Sequence, residues 1–346
     1  MDDNEDGLVQ CAVDVPTATE IISAQSLSSD IILGILWACF VFCIAIFIEE
    51  VVFIVKHFRS NYRRRKTVYV LLLAPVYSLC SIIGVMVPRT GPLIDLIPSS
   101  FYGMAFYSIM CLLGDYLGTE RLIKGFNGVQ QFTLATPPCC CCCSCLPKPA
   151  FTRKNYLLLL MMVYQIALIR PIISFVAAVL WFDGRYVPGL IIADNAFPYL
   201  ATLNTVSTLL SAWGLLIVYK TFQTTLSNFF VGVKFLYLQL AILGTVIGKV
   251  IIACLVTGDV IPCNTFIPSR ARALRLDNSF VVVWMVLVSM CGRVAFRRYG
   301  DAIDEEELDR KLDVTGTQHV TETALSDVST NEGSADHKKS KSEKGQ

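Results

Sequence analysis

Arg170 lies deep within a largely apolar run, Tyr156 to Phe182, and is followed directly by Pro171. An arginine at that depth has no short route to water, so it needs a buried partner or a ligand. The proline removes an amide from the helix ladder and frees a carbonyl one turn back, so a kink lining a cavity is expected. A cation at a kink suits an anionic solute. A permanent ion pair with Glu49, Glu50 or Asp115 would satisfy the charge equally well, and the residue types leave both readings open. Lys249 poses the same question in a later apolar run. Asn204, Ser207, Thr208 and Ser211 recur at offsets that share one helical face, which can wet a pathway or join two helices. With Arg170 and Gln239 they form the candidate solute-binding set. Glu49 and Glu50 either line an aqueous path or balance Lys56 and Arg59 near an interface, where Asp115 is also expected. Gly244 and Gly248 form a G-x-x-x-G pair, a signature of close helix contact within the bundle or with another subunit. The aromatic residues Phe101, Tyr102, Phe106 and Tyr107 offer faces to a rigid apolar ligand or to the bundle itself.

A second cluster is chemical in a different way. Cys139, Cys140, Cys141, Cys142, Cys143 and Cys145 crowd between Pro138 and Pro147. Adjacent cysteines meet the separation and dihedral demands of a disulfide poorly, and structural zinc sites use pairs separated by a few residues, with no Cys/His partner pair elsewhere in the chain. Cysteines beside a membrane span are candidates for reversible acylation.

The elements that must position these groups follow from composition. The chain has 346 residues, 54% hydrophobic and 16% charged, with a mean hydropathy of +0.57. Soluble domains carry about 25% charged residues, so a polytopic membrane protein is indicated. Seven stretches reach the ~20 apolar residues that a spanning helix requires, at about 31–55, 67–87, 99–118, 155–182, 198–218, 235–256 and 277–295. They are continuously apolar rather than alternating, which favours an all-α fold over a barrel. The loops 56–66 and 119–154 are rich in Lys and Arg and belong in the cytosol. Seven spans then place the N-terminus outside and the C-terminus inside, with the cysteine-rich loop 137–147 on the cytosolic side. The expected organisation is an extracellular segment 1–30, a seven-helix domain 31–295 and a mostly disordered, polar tail 296–346.

The acidic start lacks the pattern of a cleavable signal peptide. Enzyme motifs are missing: there is no H-E-x-x-H, no phosphate-cradling glycine loop and no G-x-S-x-G. The three histidines, His57, His319 and His337, fall outside the expected spans. No enzymatic activity, cofactor or metal is expected, and no ATP-binding motif supplies energy.

Several local features converge on one family. Ile46 to Glu50, Val87-Pro88-Arg89, Ser100-Phe101-Tyr102, Phe106-Tyr107, the proline-bounded cysteines, Thr152-Arg153-Lys154, Asn204-Thr205 with Ser207 to Leu210, and Gly232 to Phe235 resemble the organic solute transporter α subunits. A wider set of seven-span relatives shares an acidic motif like Asp115-Tyr116-Leu117-Gly118 and a basic-proline pair like Arg170-Pro171. The resemblance implies facilitated, bidirectional movement of bile acids, conjugated steroids and related amphipathic anions. It also implies a single-span β subunit as partner and a basolateral plasma-membrane location in epithelia. A seven-span receptor or a scaffold is the competing reading. The chain lacks an Asp-Arg-Tyr motif after the third span and an Asn-Pro-x-x-Tyr motif in the seventh, which argues against the receptor.

Overall fold

The computed structural model describes residues 27–87, 90–91, 93–118, 131–134, 149–187, 192–226, 229–258 and 269–297. In chain order the helices are α1 (Leu27–His57), α2 (Asn61–Leu71), α3 (Leu73–Met86), α4 (Leu93–Tyr116), α5 (Arg153–Phe182), α6 (Phe197–Thr221), the short α7 (Gln223–Leu226), α8 (Val231–Thr257) and α9 (Ser269–Phe296). The described residues hold no strand, only one antiparallel bridge between Gln131 and Ala150. Among them are seven helical segments long and apolar enough to cross a membrane, with α2 and α3 together forming the second. Helices satisfy every backbone group internally, which a bilayer core demands.

Proline placement explains the interruption in the second span. Pro75 cannot donate to the carbonyl of Leu71 and its ring crowds that position, so α2 stops at Leu71 and α3 restarts at Leu73. Pro98 and Pro171 lie inside α4 and α5 without ending them.

Three starts differ most from the sequence reading, the third span beginning at Leu93 rather than near 99. The second span begins at Asn61 rather than near 67, so Arg63, Arg64, Arg65 and Lys66 are helical residues and not part of a loop. The seventh begins at Ser269 rather than near 277, which brings Arg272, Arg275 and Asp277 into α9. Arginine and lysine are good helix formers; charge ends an apolar window without ending a helix.

The bundle is built around α4 and α9. Helix α4 packs on α5, α2 and α3, whereas α9 packs on α3, α8 and α1; α6 lies outermost, against α5. The main core joins Tyr102, Phe106, Leu113 and Tyr116 of α4 to Val163 and Ile166 of α5, Tyr237 of α8 and Met285 of α9. Gly103 permits a close backbone approach of α4 to α5, because a Cβ there would come 2.7 Å from the carbonyl oxygen of Ile166.

Candidate functional site

The tight α4–α5 contact at Gly103 sets the depth at which the preceding residue, Tyr102, meets Arg170. Both are buried, at 0% and 4% exposure. The Arg170 guanidinium stacks over the Tyr102 ring at 4.4 Å from its centroid, a contact that replaces part of the water a cation loses. From the other side α6 supplies one hydrogen bond, Arg170 Nη2 donating to Thr208 Oγ1 at 3.2 Å. That hydroxyl in turn donates to the carbonyl of Asn204 at 2.7 Å, so its lone pairs face the arginine. Arg170 Nε has no partner, and neither do the buried Tyr102 hydroxyl, Ser207 Oγ, Asn204 Oδ1 or Gln165 Nε2. Native proteins leave few buried polar atoms unpaired. These five unpaired atoms lie on α4, α5 and α6.

No carboxylate answers Arg170 among the described residues, because the acids expected as partners are engaged elsewhere. Glu49 accepts from Arg293 Nη2 at 2.9 Å and Arg297 Nη2 at 2.7 Å, and Glu50 accepts from Arg297 Nε at 2.7 Å. These bonds join the ends of α1 and α9, so the expected balance with Lys56 and Arg59 is replaced by one across helices. Asp115 pairs with Arg63, whose guanidinium also lies 5.4 Å from the Tyr116 ring centroid. This pairing lets α2 begin with buried charge. Lys249 Nζ donates to Asp95 Oδ2 at 2.6 Å, tying α8 to the start of α4.

The remaining expected residues divide. Ser207 and Ser211 turn into the α5–α6 contact, and Ser211 Oγ donates to the carbonyl of Met162 at 3.1 Å; Ser211 therefore joins helices and is not a free donor. Gln239 is half-buried on α8, which packs on α9 and α4, and makes no hydrogen bond to the Arg170 group. Gly244 and Gly248 face α9: Trp284 fills the notch at Gly244 and Phe280 the one at Gly248. That face is occupied within the chain, which removes it as a docking surface for another subunit. Cys139, Cys140, Cys141, Cys142, Cys143 and Cys145 lie outside the described residues.

Sequence reasoning left the Tyr102 ring open between a ligand and bundle packing and missed its pairing with Arg170, and it missed Asp95, Asp277, Arg293 and Arg297 as partners. Their signal was depth: Glu49 and Glu50 near the end of α1 match Arg293 and Arg297 at the end of α9, and Asp95 at the start of α4 matches Lys249 near the end of α8. Lys234 was missed too; it is 2% exposed and its Nζ donates to the Tyr116 hydroxyl at 3.0 Å.

The described residues thus form a seven-helix membrane bundle in which a buried arginine without a carboxylate partner meets the polar face of α6. The family model of the organic solute transporter Ostalpha matches residues 32–301, and the chain belongs to that family. It is similar to the organic solute transporter subunit alpha of Danio rerio, 24% identical over 316 residues, covering 91% of this chain and 97% of that protein. The Bos taurus subunit is 27% identical over 293 residues, covering 84% and 86%. A transmembrane protein 184 homologue of Dictyostelium discoideum is 24% identical over 277 residues, covering 78% and 54%. No solved structure matches.

Proposed function

We propose that this chain is the transport subunit for facilitated, bidirectional, gradient-driven movement of bile acids, conjugated steroids and related amphipathic organic anions, and that it works with a single-span β subunit. The observation carrying this reading is Arg170: a buried cation stacked on Tyr102, without a carboxylate, among unpaired polar atoms. A sulfate, carboxylate or taurine group supplies the missing charge, and the apolar walls accept the ring system. Arg170 is closed off from solvent here. Helix α6 makes its main packing contact with α5 among the described residues, so its outward displacement is the least disruptive way to admit a solute to Arg170, Asn204, Ser207 and Thr208.

Orientation and location follow the same reading. Lys56, Arg63, Arg64, Arg65, Lys66, Arg153, Lys154 and Lys220 cluster at one set of helix ends, which supports a cytosolic placement of that side and an extracellular N-terminus. The cysteine loop belongs on that side and carries acyl chains. The membrane is the plasma membrane, basolateral in epithelia.

Flux of radiolabelled taurocholate and a steroid sulfate in proteoliposomes, with and without a β partner, tests the proposal. Downhill movement in both directions that requires the partner supports it. Saturable binding of either solute with no flux in either preparation would instead define a receptor.

A further inference from the structure

Asp277 stands two turns into α9, is 6% exposed, and its Oδ1 has no hydrogen-bond donor. Helix α8 passes closely: a Cβ on Gly248 would lie 3.2 Å from that same oxygen. The next residue, Lys249, sends its ammonium to Asp95 instead, at 2.6 Å. The half-exposed Lys249–Asp95 pair and the buried Asp277 are therefore within electrostatic reach of one another where α4, α8 and α9 come together, one negative charge in excess if both acids are ionised. Around them, α3 presents Tyr77 and Cys80, and the segment after α5 presents Tyr186, all within electrostatic reach of Asp95. On α9 itself Arg275 is directed to Ser29 of α1, at 3.5 Å.

We propose that Asp277 is a proton-binding site, and that Lys249 is shared between Asp95 and Asp277 according to whether that proton is present. Only an O–H bond forms or breaks, the proton passing between Asp277 and bulk water. With the proton bound, Asp277 is neutral and Lys249 clamps α8 to α4 through Asp95, the arrangement seen here. With it lost, Asp277 competes for the ammonium across the Gly248 contact and the outer end of α4 is released. Tyr102, which supports Arg170, lies two turns along that same helix, and Tyr77 lies within reach of both Arg170 and Lys249. The proton thus biases the helix that positions the anion site; that link alone rests on the transport reading.

Infrared spectroscopy of the full chain in nanodiscs with carbon-13 aspartate detects the protonated carboxyl stretch directly. Titration between about pH 5 and pH 9 should abolish one such band, and Asp277→Asn should lack it. Asp95→Asn leaves Lys249 to Asp277, so the midpoint should fall by about one pH unit or more. A band unaffected by Asp277→Asn, or a midpoint unmoved in Asp95→Asn, overturns the proposal. In liposomes the Asp277→Asn variant should lose the pH dependence of flux. Absence of flux from the wild type at every pH would refute the transport reading and leave the infrared result standing.

Discussion

Replacing Gly244 with leucine probes the joint between α8 and α9. An added Cβ would fall inside the Trp284 indole, which now donates from Nε1 to the carbonyl of Leu240 at 2.9 Å and stacks with Phe280 at 5.9 Å. Backbone cannot yield on one side and the ring cannot yield without losing its bond on the other. Overpacking costs about 1–3 kcal/mol, and the indole bond adds about 0.5–1.5 kcal/mol. Gly244→Leu should therefore destabilise the isolated chain by about 2–4 kcal/mol. Thermal melting in nanodiscs measures this without any partner. A double-mutant cycle of Gly244→Ala with Trp284→Leu should show coupling of about 0.5–3 kcal/mol. The reasoning is refuted if Gly244→Leu melts like the wild type but no longer co-purifies with a single-span subunit, since the glycine would then face outward.

Two further substitutions follow. Tyr102→Leu removes the ring beneath Arg170, a desolvated stack of about 2 kcal/mol, and should raise the half-saturating concentration of a sulfated steroid roughly 30-fold; Tyr102→Phe keeps the ring, and an equal effect from both would assign the role to the hydroxyl. Changing Cys139 to Cys143 and Cys145 together to serine should abolish hydroxylamine-sensitive acyl labelling while seven spans keep the chain in the membrane; unchanged labelling would locate the acyl chains elsewhere.

The spans were legible because each is a continuous apolar run of bilayer length. Their ends were not, where a charge is neutralised by a distant residue: Arg63 lies buried in the first turn of α2 because Asp115, 52 positions on, closes on it. Arg170 stood out by depth alone. Its surroundings did not, because the Tyr102 stack depends on the α4–α5 register that Gly103 sets through a backbone contact. The same holds for Glu49 and Glu50, whose partners Arg293 and Arg297 lie at the opposite end of the described chain. Local sequence points to Lys56 and Arg59; the fold brings α9 instead.

Flux through Arg170→Gln in proteoliposomes, compared between a steroid sulfate and the parent neutral steroid at equal protein abundance, tests the anion site most directly. A charge-assisted pair contributes about 1.5–3 kcal/mol, so the half-saturating concentration of the sulfate should rise roughly 10–100-fold while that of the neutral steroid stays nearly unchanged. Equal impairment of both solutes would contradict the account and make Arg170 a structural residue.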